Sequence, residues 1–450
     1  MMSTMSNGSE GKDRDLVVVG TFIHALGLGQ VEILEETALG VRAGKIVFID
    51  KTKNLADRLK EFSITPDKCL HLEKHQFVIP GFVDSHAHAP QLPFMGTGSD
   101  LQLLPWLKKY TYPTEAKIAS NHEYATEVYK KCVTRTLKSG STTVCYYATI
   151  DVRSTLTLVD IVESVGQRAY IGKVNMDRNS PDNYIEQTKD SMENTRKFVQ
   201  DVIARKNSLI TPCVTPRFAI SCTPELMAQL GDLAQEYSLP VQTHISENLD
   251  EVKAVTEMFP DCQSYTDVYD QAGLLGERTV LGHGVYLSPE ELQMLKSRGS
   301  GISHCPNSNF CLCSGVLDVR RPLQAGVKVG LGTDFAGGNS PSMLDAIKRG
   351  MEAAVVTSLN ASEKEDGGER LSYKDMFFLA TLGSCQVMGL EGVVGNFTVG
   401  KDFDALVIDP KADDSPFDVF AEETIEERFQ KYLFLGMWRK NVRSFFSCRH

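Results

Sequence analysis

His86 and His88 stand two residues apart in V-I-P-G-F-V-D-S-H-A-H-A-P-Q (78–91). The first half of that stretch is apolar and β-branched, with Pro80-Gly81 as punctuation, so it reads as a short buried strand. Positions i and i+2 of a strand point the same way, which turns both imidazoles to one side. Two imidazoles at a strand end are half of a transition-metal site, zinc being the common occupant. Alone, the pair is a weak signal, and two polar strand-end histidines are the better reading of it. Three further residues change that: His244 in V-Q-T-H-I-S (241–246), His283 in V-L-G-H-G-V (280–285) and Asp334 in G-L-G-T-D (330–334). Each lies toward the C-terminal end of its own predicted strand, so four of the ten histidines and one aspartate hold corresponding positions. The set predicts a metal centre with His86, His88, His244, His283 and Asp334 as ligands, Zn2+ being the expected ion, one per chain. Nitrogen donors, a carboxylate and one open position describe a catalytic zinc rather than a structural one. Such an ion lowers the pKa of bound water to about 7.

Hydrolysis at such a centre needs a group that takes the water's proton and passes it to the leaving nitrogen. Glu247, three residues beyond His244, is the candidate; its plain alternative is a solvated loop carboxylate or helix cap in S-E-N-L-D-E (246–251). Asp334 is read as ligand and proton relay together. Arg217 and Phe218 set a guanidinium donor beside an aromatic face, which suits a planar ring with carbonyl and nitrogen acceptors. From spacing alone, a salt bridge for Arg217 and a core position for Phe218 explain them as well. His304, in H-C-P-N-S-N (304–309), is read as a group behind the ligands or facing the substrate.

The elements that must position these residues are strands alternating with helices. After the first strand, candidates are Thr142–Tyr147, Ala169–Val174, Ile210–Ile220, Val241–Ser246, Val280–Val285, Gly301–His304 and Val327–Thr333. Helical spacing lies between them at Tyr124–Ser139, Asp182–Arg205, Pro224–Tyr237 and Pro289–Ser297, the last opened by a Ser288 cap. Eight strands between residues 78 and 334 make the expected fold an α/β (β/α)8 TIM-type barrel. A doubly wound sheet is the alternative, but no Gly-rich phosphate fingerprint follows an early strand. Both ends of the chain are β-rich, which predicts a small β-sandwich domain built from residues 14–77 and 391–450 around a barrel of residues 78–390. Residues 1–13 are polar and without period, and are expected to be disordered; Glu363–Arg370 reads as a charged, exposed loop.

Of the 450 residues 42% are hydrophobic and 23% charged, with a net charge of −11. That sign argues against nucleic-acid and anionic-membrane partners and admits a neutral or cationic small molecule. The eleven cysteines form no C-x-x-C pair, which suits a reducing cytosolic compartment. The polar N-terminus lacks the apolar core of a signal peptide, and Leu16–Gly29 is too short to span a bilayer. The H-x-E with P-C-x-x-C pattern of one zinc-enzyme architecture is incomplete: His71-Leu72-Glu73 is present, but Pro212-Cys213 has no second cysteine three residues on.

Six stretches carry a resemblance: P-G-F-V-D-S-H-A-H-A-P-Q (80–91), V-T-P-R-F-A-I-S-C (214–222), H-I-S-E-N (244–248), H-C-P-N-S-N (304–309), G-L-G-T-D-F-A-G-G (330–338) and G-N-F-T-V-G-K-D-F-D-A (395–405). Together they resemble the amidohydrolase superfamily and, more closely, its guanine deaminases, from residue 17 to residue 436. The resemblance implies a zinc-dependent barrel, a cytosolic homodimer, that converts guanine and water to xanthine and ammonia. It implies the same five metal ligands, with Gln91, Arg217 and Phe218 holding the purine, His88, His244 and Asp334 touching it, and Glu247 moving protons. Binuclear relatives bridge two metals with a carboxylated lysine on the fourth strand; Ile210–Cys222 contains none, so one metal is expected. Relatives end in a V-x-V-x-G-x-x-V strand, whereas this chain stops with M-W-R-K-N-V-R-S-F-F-S-C-R-H (437–450), so that strand is expected to be missing or replaced. The rival readings are a deaminase of another purine, a pterin or a pyrimidine, and a non-catalytic scaffold barrel; the retained ligands argue against the scaffold.

Overall fold

Phe77–Pro80 and Phe82–His88 are two strands where the sequence reads as one. The break falls at Gly81, where a Cβ would meet Thr142 Oγ1 at 1.9 Å, so only glycine lets the chain pass from one sheet to the next. Phe77–Pro80 joins a sheet built from both chain ends, and Phe82–His88 opens the parallel strands that carry the site. This computed structural model describes residues 15–360, 370–413 and 415–436, and the backbone of 442–446. The expectations for residues 1–13 and for the charged loop up to residue 369 lie outside them.

The terminal sheet runs in the order Val442–Phe446, Ala405–Ile408, Phe77–Pro80, Leu16–Gly27, Gln30–Arg42, Lys45–Lys51, with Cys69–His71 parallel to Leu16–Gly27. Ala43 and Gly44, both at positive φ (47° and 78°), form the two-residue turn that lets Arg42 pair with Lys45. Of the two expectations for the last strand, missing or replaced, the first is corrected here: Val442–Phe446 pairs antiparallel with Ala405–Ile408, Ala405 opposite Phe446.

The remaining strands are parallel. Phe82–His88, Ser141–Tyr147, Arg168–Gly172 and Ile210–Pro212 pair in that order, and Val174–Asn175 pairs with Thr215–Pro216. Val241–Ile245, Thr279–His283, Gly301–His304 and Lys328–Leu331 follow. Val214 bridges to Val241, and the Asp334 N–H donates to the His86 carbonyl at 2.9 Å, so the last segment is bonded to the first. Every residue of Ser141–Tyr147 and of Thr279–His283 is buried, as expected of strands covered on both faces.

Two expectations needed correction. Ile210–Ile220 is not one strand: Pro212 and Pro216, which have no N–H to give a ladder, end Ile210–Pro212 and Thr215–Pro216, and a 3-10 turn follows at Ala219–Ser221. The helix expected from Asp182 begins at Thr188, because the Tyr184 N–H is spent on the Pro181 carbonyl and the Glu186 N–H on that of Met176. The helix after Ser288 has the full capping box, Ser288 and Glu291 each bonding the other's backbone. Among the described residues no helix is long and apolar enough to cross a membrane.

Candidate active site

The strand ends bring all five expected ligands together. His86 and His88 lie on Phe82–His88, His244 on Val241–Ile245, His283 ends Thr279–His283, and Asp334 follows Lys328–Leu331. The other three imidazoles pack with ring centroids 4.8 to 5.4 Å from that of His86. Asp334 Oδ1 lies 3.5 Å from His86 Nε2 and 3.6 Å from His88 Nε2, and its Oδ2 lies 3.7 Å from His283 Nε2. His88 Nε2 and His244 Nε2 are 3.0 Å apart. Ligand atoms of His86, His88 and His244 fall within 4.8 Å of one another, as do those of His86, His283, Cys305 and Asp334. Gly282 makes room for this: a Cβ there would stand 2.8 Å from His86 Cε1.

The orientation of two rings is fixed from behind. His244 Nδ1 donates to the Arg217 carbonyl at 2.6 Å, and His283 Nδ1 to Asn309 Oδ1 at 2.9 Å, which turns each Nε2 lone pair toward the cluster. His86 Nε2 and His283 Nε2 are buried without a hydrogen-bond partner among the described residues, although Glu247 Oε2 comes within 3.3 Å of the latter and Asp334 Oδ2 within 3.7 Å. Burial and the neighbouring rings hold His88 and His244 well below the usual histidine range, so both are neutral donors. Burial alone would lower His283 too, but the carboxylates of Glu247 and Asp334 outweigh it and raise it. Against burial, the adjacent His86 ring and the other surrounding imidazoles keep Asp334 down at about 2. Converging imidazole nitrogens and one ionised carboxylate, with nitrogens left unpaired in a buried site, are the donor chemistry a divalent cation satisfies. Cys305 is in reach, but its S–H donates to the Ser303 carbonyl at 3.4 Å and burial pushes the thiol well above its ordinary value. Ser246 (φ 48°), His283 (φ 73°) and Asp334 (φ 40°) all adopt the left-handed backbone, strain that persists only where surrounding contacts over-determine it.

Beside the cluster lies a half-open cavity. His88, His244, His283, Asp334 and Glu247 line it together with Gln91, Arg217 and Phe218 and with the apolar Leu103, Trp106, Leu107 and Leu312. Glu247 is buried; Ser314 Oγ donates to its Oε1 at 2.8 Å, and burial, with Asp334 and Glu251 adding, pushes it up to about 7. Glu251 holds the Glu247 turn by accepting the N–H groups of Glu247 and Asn248 at 2.8 and 3.2 Å. The arrangement can hold a flat polar ring against an acid–base pair. His304 is buried with both ring nitrogens unpartnered among the described residues, and it does not line this cavity.

A model of the amidohydrolase family matches residues 77–433. The chain belongs to this family. Among its relatives, the guanine deaminase of Rattus norvegicus is 46% identical over 427 residues, covering 94% of this chain and 93% of its own. That of Dictyostelium discoideum is 45% identical over 428 residues, covering 93% and 94%. A crystal structure of guanine deaminase from C. acetobutylicum with guanine bound in the active site matches with a TM-score of 0.88 at 34% identity, over 96% of this chain and 99% of that one.

Sequence reasoning missed several residues of this amidohydrolase site. Asn309 lay inside H-C-P-N-S-N but was not singled out, although an amide five residues past a strand-end histidine is a signal of a kind. Glu251 was not singled out; it is the partner of Asn248 in a capping box. Glu115, Trp106, Leu103 and Leu107 gave no signal, being ordinary members of helical stretches.

Proposed function

We propose that this chain is a metal-dependent hydrolase that converts guanine and water to xanthine and ammonia, with one Zn2+ per chain held by His86, His88, His244, His283 and Asp334. The observation that carries the reading is a single cavity lined both by the imidazole–carboxylate cluster with Glu247 and by Gln91, Arg217 and Phe218. When bound, zinc lowers the pKa of a coordinated water to about 7 and polarises the site. The chain's own residues do the rest. Arg217 and Gln91 hold the base by its polar edge, Phe218 packs near it, and the apolar cover of Leu103, Trp106 and Leu107 keeps bulk water out. Asp334 takes the proton of the attacking water as its oxygen bonds to C2. Glu247, protonated at the start, gives its proton to the ring nitrogen beside C2. The water proton on Asp334 then passes through Glu247 to the amino group, and the C2–N bond breaks to release ammonia. The proton of the new C2 hydroxyl returns to Glu247 as the carbonyl forms. The parallel strands, read as a closed (β/α)8 barrel, supply the rigid mouth, and the terminal sheet forms the small β domain, divided from the barrel at Gly81. A cytosolic homodimer completes the reading.

The test is direct. Purified protein should release one ammonia per guanine consumed, followed by ultraviolet absorbance; a chelator should abolish the activity and Zn2+ restore it. Guanine left untouched while adenosine, cytosine or a pterin is turned over would sink the substrate, and full activity in metal-free protein would sink the zinc. Asn309→Ala should weaken metal affinity about 10–100-fold, because His283 loses the partner that fixes its ring. Competition of the apo-protein against a chromogenic chelator measures this; unchanged affinity would mean the strand alone holds His283.

A further inference from the structure

Glu115 sits on Tyr112–Ser120, fully buried, and meets both residues assigned to the base. Its Oε2 accepts from Arg217 Nη1 at 2.6 Å; its Oε1 accepts from Arg217 Nη2 at 3.2 Å and from Gln91 Nε2 at 2.9 Å. The Tyr112 ring lies 5.4 Å from the guanidinium, so the same helix supports Arg217 a second time. A carboxylate only accepts hydrogen bonds, and this decides how the two cavity residues face the substrate. The Gln91 amide must turn its nitrogen to Glu115, and its Oε1 is left buried and without a partner among the described residues. Arg217 spends two N–H groups on Glu115 and keeps the rest for a ligand. The cavity therefore offers one free acceptor, Gln91 Oε1, next to a set of donors. That pattern matches a ring edge with an N–H beside a carbonyl or ring-nitrogen acceptor, and mismatches a ring with an amino group in the carbonyl's place.

We infer that Glu115 is a positioning residue that fixes the acceptor–donor pattern of Gln91 and Arg217 and thereby selects oxo-purines over amino-purines. The inference rests on the guanine reading and names what sets its specificity. In Glu115→Gln the new amide can donate to Gln91 Oε1, so the Gln91 side chain is free to flip and present its NH2 to the cavity. One mismatched buried hydrogen bond predicts a KM for guanine raised about 10- to 100-fold. Since the lost contact acts on ground and transition states alike, kcat changes much less. The ratio of kcat/KM for guanine to that for 2,6-diaminopurine should narrow by about tenfold or more.

The measurement is that ratio, with KM and kcat separated and zinc content determined, in wild type, Glu115→Gln, Gln91→Leu and the double variant. The two substitutions should be strongly non-additive in kcat/KM, since Glu115 acts through Gln91. Glu115→Asp keeps the charge but is one methylene shorter; it should keep the Arg217 pair, release Gln91 and show the same narrowing, and it covers the case in which Glu115→Gln does not fold. Wild-type KM and wild-type discrimination in a folded Glu115 variant would overturn the inference, as would additivity with Gln91→Leu. A wild-type enzyme inactive on guanine would instead remove the functional reading and this inference with it, so the two failures are told apart.

Discussion

Glu247→Gln is expected to bind zinc like the wild type and to turn guanine over about 10²–10⁴-fold more slowly. The substitution keeps the shape of the side chain and its bond to Ser314, since an amide oxygen still accepts from the Ser314 hydroxyl that now sits 2.8 Å from Oε1. The turn that presents the residue does not depend on the carboxylate: the backbone N–H of Glu247 is held by Glu251, itself anchored by the Tyr265 hydroxyl at 2.8 Å. What disappears is the ability to carry a proton between water and nitrogen. The loss should fall on kcat, with zinc content at one per chain and guanine still bound. Near-normal kcat in a zinc-loaded variant would take Glu247 out of the mechanism and leave Asp334 as the only proton carrier in reach.

Which parts of this site the sequence made legible follows from the range of the interactions involved. His86, His88, His244, His283 and Asp334 could be placed because a strand's two-residue period and its C-terminal end are local properties, and each residue closes a short apolar run. The same local signal misled where a polar or conformational detail cut the run. Gly81 divides Val78–Gln91 because of a side chain, Thr142, far along the chain, and the prolines of Ile210–Ile220 end strands that an apolar count extends. The tail looked unlike a strand because its own text, N-V-R-S-F-F, lacks the expected pattern, yet Ala405–Ile408 offers an edge and Val442–Phe446 takes it. Glu115 was beyond reach altogether. Its partners lie 24 and 102 positions away, and nothing in T-E-A-K-I separates a buried carboxylate from a solvated one.

Asp334→Asn is the second large effect, and it separates two jobs the residue holds. The backbone around it is built for that one side chain. Its N–H bonds the His86 carbonyl at 2.9 Å, and its carbonyl accepts from the Gly338 N–H at 2.7 Å. The preceding Thr333 is clamped by Asp84, whose carboxylate accepts from the Thr333 N–H at 2.9 Å and its hydroxyl at 2.5 Å. An isosteric amide should therefore leave the fold alone, apart from a small change in melting temperature. It removes the only negative charge among the five donors, and four neutral imidazoles hold a divalent cation less well than four imidazoles and a carboxylate. Zinc content after dialysis should fall well below one per chain, and turnover should fall on the order of 10³-fold or more. Excess Zn2+ then discriminates between the jobs. If Asp334 is only a ligand, saturating metal restores turnover along with occupancy; if it also accepts the proton of the attacking water, occupancy recovers and turnover does not. The second outcome is the expected one, because Asp334 Oδ2 faces His283 and the cavity that Glu247 shares, where a proton taken from water has a second carboxylate to go to.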